Sequence, residues 1–282
     1  MQVKMLNDWV VEYSDIDLKE ATAAEIKLIG STILSNLCVV IKDQKLTPDE
    51  QLTIAKMIGN VETHYDTEES KEQTKHISIA DGVTRVTAAE NEHGVPGLFN
   101  TSDDLEWHCN AAFKRKRHPI IWTYGASGVS GSRTSWLDMT KVFDSLSRHR
   151  KYELSQLKVH TGYQYGYGTS DDTIREGIRT VRDGRSTNPF PLVYTNPAGR
   201  KGLYFPFYQV FGIEGYTEDK FFEFRDEIMK LAIKDENMYN HDWELGDIVL
   251  SEQWLTLHKR WAFDKMDQRM IHRIALDYRK VI

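Results

Sequence analysis

Glu106-Trp107-His108-Cys109-Asn110-Ala111-Ala112-Phe113 is the stretch on which the fold and the chemistry turn. Read as a strand, it sends successive side chains to opposite faces, so His108 and Asn110 share a face and Cys109 looks away. Far along the chain, Trp254-Leu255-Thr256-Leu257-His258 reads as a second strand, with His258 on the face of Trp254 and Thr256. Two histidines with an acid or amide, and positions left open, form the arrangement by which non-haem iron binds oxygen.

Working outward, Trp9 to Tyr13 reads as a strand. Thr22-Ala23-Ala24-Glu25 has the form of a capping box and predicts a helix through about Leu37. Cys38-Val39-Val40-Ile41 follows as a buried strand, and Thr47-Pro48-Asp49-Glu50 opens a second helix that ends near Gly59. Short strands are expected at Ile77 to Ile79 and Arg85 to Thr87, within a polar stretch from Glu62 to Asp104 that is suited to closing over a substrate or to lying on the surface. The basic run at 114–117 steers an anion or is a solvated turn, with the turn preferred.

Beyond it come a strand at Ile120 to Gly125, a tight link from Gly128 to Gly131, and a helical pair from Thr140 to Leu157. A short helix is expected from Ser170, a hairpin around Asn196-Pro197-Ala198-Gly199, and a Thr217-capped amphipathic helix. Strands at Ile248 to Leu250 and Met270 to Tyr278 complete the chain. The pattern predicts a mainly β fold with inserted α: a double-stranded β-helix, or jelly roll, flanked by helices and forming a single domain over 1–282.

Composition narrows the function. The chain has 282 residues, 40% hydrophobic and 28% charged, and two cysteines, Cys38 and Cys109. A disulfide framework and a cysteine-built zinc site are thereby excluded. A net charge of −6 argues against a nucleic-acid partner. With neither a membrane-length apolar run nor a secretory leader in view, the expected location is cytoplasmic.

The whole pattern resembles the taurine dioxygenase-like (TauD/TfdA) family of iron(II)- and 2-oxoglutarate-dependent dioxygenases. The segment from Leu37 to Leu52 is similar to that family's first strand and helix, and Trp107-His108-Cys109-Asn110 stands at its Trp-His-x-Asp. Gly131-Ser132-Arg133-Thr134-Ser135-Trp136 resembles its Gly-Gly-Asp-Thr-x-Trp, and His258, Arg269 and Arg273 follow in the family's order and spacing. The resemblance implies an oxidoreductase that uses Fe(II), 2-oxoglutarate and O2 on a small-molecule substrate and that commonly forms homo-oligomers.

It further implies His108, Asn110 and His258 at the metal, and Thr134 and Arg269 on the 2-oxoglutarate carboxylate. Arg273 falls on an acidic group of the substrate, and Asp104, Phe207 and Tyr208 on the substrate side. Arg269 and Arg273 would sit about 13 Å apart on one strand face at roughly 3.3 Å per residue, so they can hold different anions. A structural ion pair of Arg273 with Asp247 or Glu252, and core packing of Phe207 and Tyr208, are the competing readings. For His64, His76, His93, His118, His149, His160 and His241 a structural role is preferred.

One position departs from the family: Asn110 offers a neutral amide where the pattern has a carboxylate. Three outcomes are open, in order of preference. The amide ligates, or Asp103, Asp104 or Glu106 assists, and oxidation of a sulfonate, carboxylate or amino acid proceeds. Alternatively, an external anion fills the place, as in related halogenases. In the third, the scaffold is a non-catalytic metal- or ligand-binding protein.

Overall fold

A computed structural model describes residues 1–63, 77–90, 94, 97, 101–110, 112, 118–162, 171–184, 189–264 and 268–278. The basic run at 114–117 and His64, His76 and His93 lie outside the described residues.

In chain order the strands are β1 (Gln2–Met5), β2 (Val10–Ser14), β3 (Cys38–Ile41), β4 (Ser78–Ala80), β5 (Val83–Val86), β6 (Leu105–His108), β7 (Ile120–Ser127), β8 (Arg133–Asp138) and β9 (Lys158–Thr161). They continue as β10 (Pro189–Pro191), β11 (Val193–Thr195), β12 (Lys201–Leu203), β13 (Val210–Ile213), β14 (Met238–Asp242), β15 (Ile248–Glu252), β16 (Thr256–Arg260) and β17 (Met270–Leu276). The helices are α1 (Ala23–Asn36), α2 (Pro48–Ile58), α3 (Met139–Ser145), α4 (Arg148–Leu154), α5 (Asp171–Arg182) and α6 (Glu218–Ala232).

An eight-stranded sheet runs β1-β2-β3-β15-β7-β17-β5-β4, and a four-stranded sheet runs β14-β8-β16-β6. Within the large sheet β2 and β3 are parallel, which demands a crossover, and α1 supplies it. The expected capping box of Thr22 with Glu25 is formed, and Thr47, which opens the second helix as expected, makes one with Glu50 as well, so each helix starts where its sequence says. Removing either threonine side chain would cost about 1 kcal/mol.

Period-two alternation in the large sheet separates two buried faces. Val39, Ile41, Trp122, Tyr124, Ile248, Leu250, Ile274 and Leu276 pack in one cluster with Ile26, Ile29 and Ile33 of α1 and Ile54 and Ile58 of α2. The intervening residues Val40, Val249 and Ile271 meet Trp136, Trp243 and Leu255. The odd-numbered positions of β7 and β17 therefore face the small sheet, and that is the face on which a site can be built. A third cluster gathers α3, α5 and α6 around Phe205, Phe207 and Leu257.

Boundaries differ from expectation where pairing overrides local pattern. The strand read through Asn110 stops at His108, and Asn110 lies in a turn. The expected strands at 77–79 and 85–87 pair as β4 and β5, displaced towards a two-residue turn at Asp81 and Gly82. Gly128 has φ +55°, and a Cβ there would sit 2.1 Å from the Gln268 carbonyl oxygen, so glycine lets the β7–β8 turn approach the residue before Arg269.

Glu252, at the end of β15, is fully buried and accepts a hydrogen bond from the Tyr278 hydroxyl. Burial pushes its carboxyl up to about 7. A carboxyl raised in the folded state gives stability that is complete below the unfolded value of 4.5 and lost as pH rises through 7. Urea unfolding should therefore show the wild type losing stability from pH 5 to 8 relative to Glu252→Gln, by on the order of 3 kcal/mol. Parallel curves for the two proteins would remove Glu252 as the cause.

Candidate active site

His108 and His258 are direct cross-strand partners in the β6–β16 pair, with ring centroids 4.0 Å apart. The Nδ1 of His108 lies 2.6 Å from the Glu106 carbonyl oxygen, which can only accept. Nδ1 thus carries the proton and Nε2 keeps its lone pair. Burial lowers His108 to about 4, and burial with His108 and Arg273 nearby lowers His258 well below its usual value. Both rings are neutral at physiological pH, as metal binding requires.

The turn carrying Asn110 is clamped by two glutamines. The Cys109 amide donates to Gln209 Oε1 at 2.8 Å, and the Asn110 amide donates to Gln253 Oε1 at 2.7 Å. Gln209 Nε2 donates back to the Cys109 carbonyl at 3.0 Å. The Asn110 side chain, 6% exposed, accepts from Arg273 Nη1 at Oδ1, 2.7 Å away, and its Nδ2 faces His258 Nε2 at 3.3 Å.

These residues open onto a cavity between the two sheets. The small sheet contributes two cross-strand pairs to its wall, Thr134 with Arg260 and Trp136 with His258. From the large sheet come Ile121 and Thr123 of β7, and Arg269, Ile271 and Arg273, which alternate onto one face along and just before β17. Thr134 Oγ1 accepts from Trp243 Nε1 at 2.9 Å, which leaves its hydroxyl proton free to donate. Arg269 is 4% exposed, donates from Nε to Ser132 Oγ at 3.0 Å and lies 4.9 Å above the Phe263 ring. Burial, with Arg260 nearby, lowers its guanidinium to about 9.

Three arginines line this cavity, and among the described residues no acid does. Two neutral imidazoles facing each other fit a divalent metal, and the buried guanidinium beside Thr134 fits a carboxylate. The Asn110 amide beside them is neutral, and Arg273 engages it.

The cavity brings together His108, Asn110, His258, Thr134, Arg269 and Arg273. Asp104 is elsewhere: its carboxylate lies 2.7 Å from Lys259 Nζ and accepts the Ala262 amide at 2.6 Å. Glu106 also pairs with Lys259, at 3.0 Å, and Asp103 gives its backbone carbonyl oxygen to Arg260 Nη2 at 2.6 Å; none of these three acids lines the cavity. Phe207 is fully buried in the third cluster beside Phe205, and Tyr208 packs against that cluster; neither lines the cavity. The ion pair of Arg273 with Asp247 or Glu252 is not formed. Asp247 serves Lys42 and His241, and Glu252 serves Tyr278.

Among the other histidines, His160 faces Glu214 and His241 faces Tyr239 and Asp247, as structural residues do. Arg260, Trp243, Ser132 and the two glutamines were not singled out from sequence. Arg260 stands two residues after His258 on one strand, so alternation alone could have placed it; the glutamine clamp has no local signature.

The sequence profile of the taurine catabolism dioxygenase TauD, TfdA family matches residues 2–275. The chain belongs to that family. As a TauD/TfdA protein it is a 2-oxoglutarate-dependent dioxygenase, with iron(II) and 2-oxoglutarate as metal and co-substrate. It is 26% identical over 272 residues to the alpha-ketoglutarate-dependent 2,4-dichlorophenoxyacetate dioxygenase of Cupriavidus pinatubonensis, covering 92% of this chain and 91% of that protein. It is also 26% identical to pentalenolactone F synthase of Streptomyces arenae, over 183 residues that span 61% of each chain. Among solved structures, AAD-2 in complex with Mn(II) and N-oxalylglycine superposes with a TM-score of 0.77 at 20% identity, covering 98% of this chain and 96% of that one. A taurine dioxygenase from Burkholderia xenovorans does so at 0.73 and 18%, covering 98% and 88%. The mainly β architecture with several helices is thus that of the TauD/TfdA dioxygenases.

Proposed function

We propose that this dioxygenase oxidises a C–H bond of a small molecule bearing a carboxylate, sulfonate or similar acidic group, on a jelly-roll core formed by the two sheets. The carrying observation is the cavity in which three arginines, unaccompanied by any acid among the described lining residues, surround a buried pair of neutral imidazoles. In this reading His108 and His258 hold iron(II), and Asn110 stands at the third position. Bound there with 2-oxoglutarate, the metal supplies oxygen activation coupled to decarboxylation of the co-substrate to succinate.

The chain's own residues supply position and charge. Arg269, with no carboxylate among the described cavity-lining residues, and Thr134, with its hydroxyl proton to give, hold one carboxylate of the co-substrate. Arg273, four residues on and facing the same cavity, holds the acidic end of the substrate. Ile121, Ile271 and Trp136 give apolar walls that exclude water around the bond to be oxidised. That relatives act on an aryloxyacetate supports a carboxylate-bearing substrate.

Anaerobic addition of iron(II) and 2-oxoglutarate should develop a weak visible charge-transfer band, and a panel of aryloxyacetates, sulfonates and amino acids in air should identify a compound that yields succinate. No band and no succinate across the panel would sink the reading. Asn110→Asp adds a carboxylate to the imidazole pair and should tighten iron(II) by at least about tenfold, measured by anaerobic titration. Unchanged affinity would take position 110 out of the metal's surroundings.

A further inference from the structure

The side chain of Asn110 has two unlike ends, and its neighbours decide which end faces which way. A guanidinium carries donors only, so Arg273 Nη1 at 2.7 Å requires the amide oxygen on its side. The Nδ2 group is then turned to His258, 3.3 Å from Nε2. That nitrogen's lone pair is the one His258 would offer to a metal. In this orientation position 110 presents N–H to the cation's surroundings, and it also hydrogen-bonds the lone pair of a ligand. An aspartate would be indifferent to such a turn, because both of its ends are oxygen. The chain Arg273–Asn110–His258 therefore exists because position 110 is an amide.

We propose that Arg273 is a positioning residue that sets the orientation of the Asn110 amide, and through it keeps the His108–His258 site in a low-affinity state for metal. Rotation of the amide by about 180° exchanges its two ends and would offer Oδ1 on the His258 side, and Arg273 is what opposes that rotation. The turn's backbone does not need to move, since Gln209 and Gln253 hold the main chain of Cys109 and Asn110 and leave the side-chain torsion free. An anion that draws Arg273 away removes the constraint. Substrate acid and metal then bind with positive linkage, each tightening the other by the same factor. This rests on the reading of the imidazole pair as the metal site and of Arg273 as the substrate's acid anchor.

The test is a double-mutant cycle read by anaerobic cobalt(II) titration, with visible absorption and calorimetry as readouts and no turnover required. The proteins are the full-length wild type, Arg273→Met, Asn110→Ala and the double variant, each checked for folding by circular dichroism. Arg273→Met should raise cobalt(II) affinity, and the gain should be about tenfold larger with Asn110 present than in the Asn110→Ala background. An equal gain in both backgrounds means that Arg273 acts by its charge alone and overturns the proposal, as does unchanged or weaker binding in Arg273→Met. Should Arg273→Met not fold, Arg273→Gln replaces it in the same cycle. Cobalt(II) bound by none of the four proteins overturns the metal-site reading itself, a result distinct from binding without coupling.

Discussion

Arg269→Ala is expected to abolish saturable 2-oxoglutarate binding, with a loss of about 100- to 1000-fold in affinity, the size of removing one partner of a buried charged pair. Fluorescence or calorimetric titration in the presence of cobalt(II) would measure it. The less obvious half of the expectation concerns stability. Arg269 is 4% exposed, its guanidinium is supported among the described residues by the Ser132 hydroxyl and the Phe263 ring, and burial lowers its pKa to about 9. A charge so placed costs the fold free energy that a carboxylate would return. Arg269→Met, which fills similar space without the charge, should therefore melt higher than the wild type when no 2-oxoglutarate is present. It should also lose the rise in melting temperature that 2-oxoglutarate gives the wild type. A methionine variant that melts lower and still responds to 2-oxoglutarate would remove Arg269 from the co-substrate site.

His108→Ala is the second large expectation. Its imidazole is held by the Glu106 carbonyl and sits opposite His258, so its removal leaves one imidazole and an amide engaged by Arg273. Cobalt(II) affinity should fall by more than about a hundredfold, beyond the 10- to 100-fold range typical of lost outer partners. Succinate formation should vanish with it. The same change in His160, which lies on β9, outside the cavity lining, and faces Glu214, should leave metal affinity untouched. Equal loss in both variants would point to general unfolding and not to a site.

The sequence made the scaffold readable where local chemistry is decisive. Thr22 and Thr47 with their glutamates three residues on, Pro48 in the first helical turn and the apolar run of Cys38 to Ile41 each have a near-neighbour cause, and each element starts or lies where expected. Strand alternation also placed Arg269 and Arg273 on one face, and spacing within the family pattern brought His108, Thr134 and His258 to one cavity. What it could not give were choices made between distant segments. Asp104 and Glu106 were candidates for the metal's surroundings until Lys259, more than 150 positions away, took both. Phe207 read as a pocket wall because aromatic residues serve walls and cores alike, and the packing of Phe205 and its neighbours settles it in the core. Arg273 had acidic partners available on paper, and both were claimed by other residues.

The indole of Trp243, donating to Thr134 Oγ1 at 2.9 Å, has a practical consequence. Of the seven tryptophans, Trp136 and Trp243 line the cavity, and Trp136 is stacked 6.5 Å from the His258 ring. Trp9 and Trp122 are buried away from its lining. The site thus carries its own light source. Arrival of a paramagnetic ion or a carboxylate changes the polarity and quenching around two indoles, and occupancy can be followed optically in the unlabelled protein before any product is known.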